Sequence, residues 1–123
     1  MASIGASLGV VAAGAVDVEL PFRDDLTQQD GFLHAGIIAT IADSACGYAA
    51  YTLMPANARV LSIEFKVNLL APAVGSRMIA RARVLRAGRT ITVCRADVAA
   101  VLDKSEKLVA TMLGTMMNVS AGS

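Results

Sequence analysis

Residues 31–58 constrain this chain more than any others: they form an apolar run rich in Ala, Ile and Gly whose only charged side chain at neutral pH is Asp43. Such a run either crosses a membrane or becomes a helix buried inside a domain. A carboxylate near its middle costs about 2.5–3.5 kcal/mol on insertion scales. His34, Thr40 and Ser44 add further polar groups, and no cluster of Lys or Arg flanks the run. The pattern therefore predicts a buried helix running from His34 or Ala35 to Tyr51 or Leu53, with Pro55 beyond its end. On its wheel Gly36, Thr40, Asp43, Gly47 and Ala50 share one face, while Ile37, Ile41, Ser44, Tyr48 and Tyr51 share another. A face of small residues around one acid lets a sheet or a second chain come close, or leaves room beside Asp43 for a thin ligand.

The rest of the chain reads as strands. Residues 8–11 and 16–20 flank Ala13-Gly14, and a polar loop, 23–31, leads to the helix. Beyond it, 62–70 alternates, with Ile63, Phe65, Val67 and Leu69 on one face and Ser62, Glu64, Lys66 and Asn68 on the other. Segments 78–86, 90–102 and 108–119 follow, the first two joined by a tight turn at Ala87-Gly88. Four consecutive strands behind one helix imply an antiparallel sheet curled around that helix, an α+β arrangement. We expect a single domain over 1–123, with 1–7 as a flexible N-terminal tail. Gly-rich phosphate loops, strand–helix alternation and internal repeats are absent.

Hydrophobic residues make up 55% of the chain and its mean hydropathy is +0.58, which points to apolar surface hidden by self-association. Cys46 and Cys94 have no short-spaced partner, so neither a disulfide framework nor a metal site is expected, and the compartment is a reducing cytoplasm. The positive n-region of a signal peptide is missing from residues 1–14. Net charge is only +1, and no nucleic-acid partner is expected, but the distribution is uneven. Between Asp17 and Asp43 six acids face Arg23 alone, whereas between Arg59 and Arg95 eight bases face Glu64 alone. Most of those bases belong to solvated strand faces, leaving two or three for a phosphorylated ligand.

Chemistry falls to few residues. His34 is the sole histidine and no nucleophile elbow is present, so Asp43 is the one strong candidate for a base or nucleophile. Its structural alternative is a buried acid bonded to a strand or partner chain. The helix start is the second feature: unpaired amides at Ala35 and Gly36 suit a carbonyl oxygen becoming negative, with His34 orienting the loop or donating a hydrogen bond. Gln28 and Ser62 are weaker candidates to hold a water or a carbonyl.

These residues lie in a pattern. His34-Ala35-Gly36, six residues, Asp43, Ser44 and Ala45 are similar to a family's His-Gly-Gly, six residues, Asp, x, Ala signature. Residues 65–75, with Pro72 and Gly75, look like its strand-and-proline motif, and the Arg86-Ala87-Gly88-Arg89 turn and residues 108–116 are similar too. The chain thus resembles, over 8–119, the hotdog-fold acyl-CoA thioesterases of the phenylacetic-acid-degradation (PaaI-like) type. The resemblance implies a long helix wrapped by an antiparallel sheet, and a dimer, often a dimer of dimers, with active sites at the dimer interface. It casts Asp43 as the catalytic carboxylate and the Ala35 amide as the carbonyl-polarising group. Gln28 falls where the family has Asn or Gln, and Ser62 where some members hold the nucleophilic water. One protomer would supply the helix start and the other Asp43 with Ser62. The family's first Gly is Ala35 here, which keeps the amide while adding a methyl group.

The expected reaction is hydrolysis of an aryl- or medium-chain acyl-CoA, with CoA as part of the substrate and no separate cofactor or metal. Arg59, Arg86 and Arg89 are the candidates for its phosphates. Two other readings compete. A hotdog dehydratase or hydratase would pair His34 with Asp43, and a non-catalytic acyl-CoA-binding protein would keep Asp43 as a structural acid.

Overall fold

The computed structural model describes residues 4–27 and 33–120. Helix α1 (Ala35–Tyr51) buries Ile38, Ile41, Ala42, Ala45, Cys46, Ala49 and Ala50. Most of these are alanines, so the helix backbone lies close to the sheet beneath it. At 17 residues it is not a membrane span, and no described helix is long and apolar enough to be one.

Six strands form one antiparallel sheet: β1 (Ser7–Ala12), β2 (Ala15–Pro21), β3 (Val60–Leu69), β4 (Arg77–Ala87), β5 (Ile91–Leu102) and β6 (Ser105–Asn118). Their order across the sheet is β1-β2-β4-β5-β6-β3, so the strand that follows the helix in sequence lies at an outer edge. The helix touches β2 through β6, which curl around it. Alternation explains the layering. Val16, Val18 and Leu20 of β2 face the helix while Asp17 and Glu19 face out; Met78, Ala80 and Ala82 of β4 face in while Arg77, Arg81 and Arg83 face out. Met112 and Met116 of β6 complete the core, and Gly114 between them is closely packed: a Cβ there would lie 3.3 Å from the Met116 Cε.

The outer face carries several polar pairs. Arg81 binds Glu106 and Arg77 binds Glu19 on β2, while Thr111 donates to Asp97 and Thr115 to Glu64. At the helix C-terminus, Thr52 accepts from the Gly14 amide at 2.7 Å, tying the β1–β2 turn to the helix end. Ile4 and Ala6, expected within the tail, are partly buried against the core.

The register departs from the sequence expectation at the start of β3. Val67 lies opposite inward-facing Met112, and Glu64 opposite outward-facing Thr115, as simple alternation requires. A bulge between Ser62 and Glu64 then breaks the alternation, and Ser62 pairs with inward-facing Met116. One extra residue reverses the facing of everything before it. Ser62 therefore faces the helix, not the hydrophilic side it shares with Glu64, Lys66 and Asn68 in an unbroken strand. On the helix, Ile41 and Ala50, one from each wheel face, are both buried in the core.

Candidate active site

The bulge brings Ser62 to Asp43. Its Oγ donates to Asp43 Oδ1 at 2.8 Å, and the carboxylate makes no other hydrogen bond among the described residues. Asp43 is half-buried, and with Ser62 it lines a cleft of about 340 Å³ whose other walls are Ser44, Gly47, Tyr48, Tyr51, Val60 and Met116. A carboxylate hydrogen-bonded on one oxygen and lining a cleft can accept a proton or approach an electrophile.

A second cleft, of about 390 Å³, lies at the other end of β3. It is lined by Leu33, Ala35, Ile38, Val109 and residues 69–73. Here the helix begins. His34 is the N-cap, in extended conformation, and its side chain makes no capping hydrogen bond. The amides of Ile37 and Ile38 return to the His34 carbonyl, while Ala35 and Gly36 are both exposed. The first helical amides have no intrahelical acceptor and carry the positive end of the helix dipole, so they are ready donors for an oxyanion. The His34 amide donates to the Leu26 carbonyl at 3.1 Å, and Thr27 pairs with Leu33, which fixes the base of the loop. Gln28 lies outside the described residues.

The two clefts are separate within one chain. Asp43 follows Ala35 by eight positions on a continuous helix, a rise of about 12 Å at about 1.5 Å per residue. A donor must come within roughly 3 Å of the oxygen it stabilises, so one chain's Ala35 amide and one chain's Asp43 cannot serve the same carbonyl. The same separation parts His34 from Asp43.

Arg59, Arg86 and Arg89 lie toward the end of the sheet where β3 starts, Arg59 just before β3 and the other two at the β4–β5 turn. The Arg59 carbonyl accepts from the Val119 amide, and the Asn118 amide reaches the Thr90 carbonyl in the β4–β5 turn, so these segments adjoin. All three arginines are exposed, and none forms an ion pair among the described residues.

No group of three His, Cys, Asp or Glu side chains among the described residues is arranged to hold a metal ion. The thiols of Cys46 and Cys94 are buried, and Cys94 donates to the Cys46 carbonyl at 3.5 Å. Its neighbour Cys94 and burial push the Cys46 thiol far above the usual range, so it is no nucleophile at neutral pH.

The sequence offers Tyr48, Tyr51 and Met116 as aromatic and adaptable apolar side chains for an acyl pocket, but gives no sign of Val60 as a cleft wall. The tyrosines follow Asp43 by five and eight positions, a spacing that places them on adjoining helix faces. The strand walls carry no such signal, because the bulge that aims them is invisible in the residue pattern.

Comparison with known proteins gives a consistent picture. A profile of the Thioesterase superfamily matches residues 30–104. A protein of Saccharolobus solfataricus named as an esterase is 33% identical over 102 residues, covering 83% of this chain and 70% of that one. The crystal structure of a thioesterase family protein from Silicibacter pomeroyi superposes with a TM-score of 0.96 at 49% identity, covering 98% of this chain and 89% of the other. The PaaI protein from the phenylacetic acid degradation operon of E. coli shares the fold, with a TM-score of 0.85 at 18% identity over 97% of this chain and 83% of its own. The hotdog fold implied by the sequence is the fold observed.

Proposed function

The chain belongs to the thioesterase superfamily, and from that premise we propose that it is an acyl-CoA thioesterase, hydrolysing an aryl- or medium-chain acyl-CoA at sites shared between two copies of the chain. The observation that carries this reading is the Ser62–Asp43 pair, set on a cleft wall beside the free edge strand and about 12 Å along the helix from its amide terminus.

The edge explains how the halves meet. Leu61, Ile63, Phe65 and Leu69 of β3 are 44–54% exposed, and an apolar edge strand of ten residues invites another strand. A two-fold axis through the strand centre would pair β3 with the β3 of a second copy, antiparallel, into one continuous sheet. Such pairing sets the start of one strand beside the end of the other. The Asp43 cleft of each protomer then faces the helix-start cleft of its partner.

In that composite site the thioester carbonyl lies against the Ala35 and Gly36 amides of one protomer. Asp43 of the other activates water or attacks the carbonyl carbon, and Ser62 holds the carboxylate or the water in line. His34 shapes the helix start, and Gln28 is assigned to the carbonyl side. Arg59, next to the Val60 wall of the cleft, and Arg86 and Arg89 at the β4–β5 turn are exposed cations without ion-pair partners among the described residues, which suits them to meet the CoA phosphates. Buried, unpaired thiols at Cys46 and Cys94 fit action in a reducing cytoplasm.

The test is a panel of aryl and aliphatic acyl-CoA thioesters assayed for released thiol, with Asp43→Asn beside the parent. General acid–base groups contribute about 10²–10⁴-fold, and a loss of that order is expected with fold and assembly intact. Near-normal hydrolysis by the variant would sink the assignment. Conversion of an enoyl thioester without thiol release would replace it with a hydratase, and tight binding without turnover with a carrier.

A further inference from the structure

The Asp43 cleft also says something about which acyl group enters. Beyond the Ser62–Asp43 pair it continues along the helix for two turns, past Gly47 and Tyr48 to Tyr51, with Val60 and Met116 opposite. Its deep side is closed, since Met116 is 1% exposed and packed in the core. Its far end is fixed, because the Tyr51 hydroxyl donates to the Ala56 carbonyl at 2.6 Å and holds that ring in place. Between these limits Gly47 sits one turn beyond Asp43. A Cβ built there meets no atom within 4 Å, so the missing side chain is open cleft and not a gap filled by packing.

We propose that Gly47 is the specificity-determining residue of this cleft: lacking a side chain, it leaves room for an acyl group branched or ring-bearing next to the carbonyl, which a larger residue would exclude. The inference rests on the acyl-CoA reading above. An acyl carbon held for attack near Asp43 projects its substituent along the cleft toward the next turn of the helix. That turn is Gly47, flanked by the Tyr48 and Tyr51 rings. A flat or branched substituent fills the space between them, whereas acetyl leaves it empty.

Benzoyl-CoA and acetyl-CoA serve as probes, with Gly47→Val and Gly47→Ala beside the parent. The helix tolerates both changes, and alanine favours it. The ratio of kcat/KM for benzoyl over acetyl should fall at least about tenfold in the valine variant, a differential of about 1.4 kcal/mol, and by less in the alanine variant, chiefly through KM. An unchanged ratio, or a parallel loss on both substrates, overturns the proposal. Non-hydrolysable thioether analogues of the two substrates separate this inference from the hydrolysis reading. Should no protein turn over either thioester, the hydrolysis reading fails by itself, and the gate is judged by the analogues' Kd ratio: a shift between parent and valine variant supports it, and no shift overturns it.

Discussion

The cleft at the start of β3 and the cleft at its end are built from the same strand and the same helix, yet they offer different chemistry. The first has a carboxylate and a hydroxyl to hold it. The second has the first amides of a helix and an apolar floor, but no acid. Proximity along the chain does not join them: residues 35–43 are contiguous in sequence and about 12 Å apart end to end in a helix. On the proposed reading, the difference teaches that neither cleft suffices alone and that a second copy of the chain, joined along the β3 edge, would complete each.

The most demanding way to break this comparison is to disable each half separately. Ala35→Pro removes one amide hydrogen at the first helical position, where proline is well accommodated, and should cost about 10²–10³-fold in kcat, as loss of an oxyanion donor does. Asp43→Asn disables the other half. If the halves belong to different chains, unfolding and refolding an equal mixture of the two dead variants regenerates one good site per heterodimer, about a quarter of all sites under two-fold symmetry. A mixture no more active than its components would show that each chain carries a whole site. Next in size is Ser62→Ala. A hydrogen bond to a charged group is worth about 1.5–3 kcal/mol, so turnover should drop roughly tenfold or more while KM moves little. A drop confined to KM would move Ser62 from the reacting centre to substrate binding.

The smallest expected effect lies away from both clefts, on the outer face. There Arg81 holds the Glu106 carboxyl below its usual range. A carboxyl depressed by folding adds stability above its unfolded value of 4.5, and that stability is lost as pH falls through the lower folded value. Glu106→Gln should therefore lower unfolding free energy at neutral pH by at most about 1 kcal/mol, as for exposed pairs in general. Urea titrations of variant and parent should converge in acid, and thiol release should be unaffected. A change in turnover would mean that the outer face communicates with the clefts.

Much of this was legible in the sequence for identifiable reasons. The helix boundaries came from an apolar period ending ahead of Pro55, and the strands from alternation of Val16, Val18 and Leu20 against Asp17 and Glu19; both patterns are local and survive packing. Asp43 was conspicuous because an isolated charge in an apolar run requires a purpose. Ser62 was found, but on the wrong side of its strand. Leu61, Ile63 and Phe65 continue an apolar alternation through the bulge, so the residue pattern holds no mark of the added residue. Gly47 was visible as a small residue beside the acid, while the space it leaves depends on Val60 and Met116, strand residues far from it in sequence.

Residues 31–58, with the strands after them, determined by themselves that one helix would carry a lone acid into the hollow of an antiparallel sheet, because hydrophobic periodicity and the cost of an unpaired charge act within a few residues. Tertiary structure alone decided that Ser62 turns inward to meet that acid, that β3 ends up as a free apolar edge, and that the acid and the amide terminus open into separate clefts. Bulge position and strand order arise from contacts between segments distant in the chain, where no local pattern reaches.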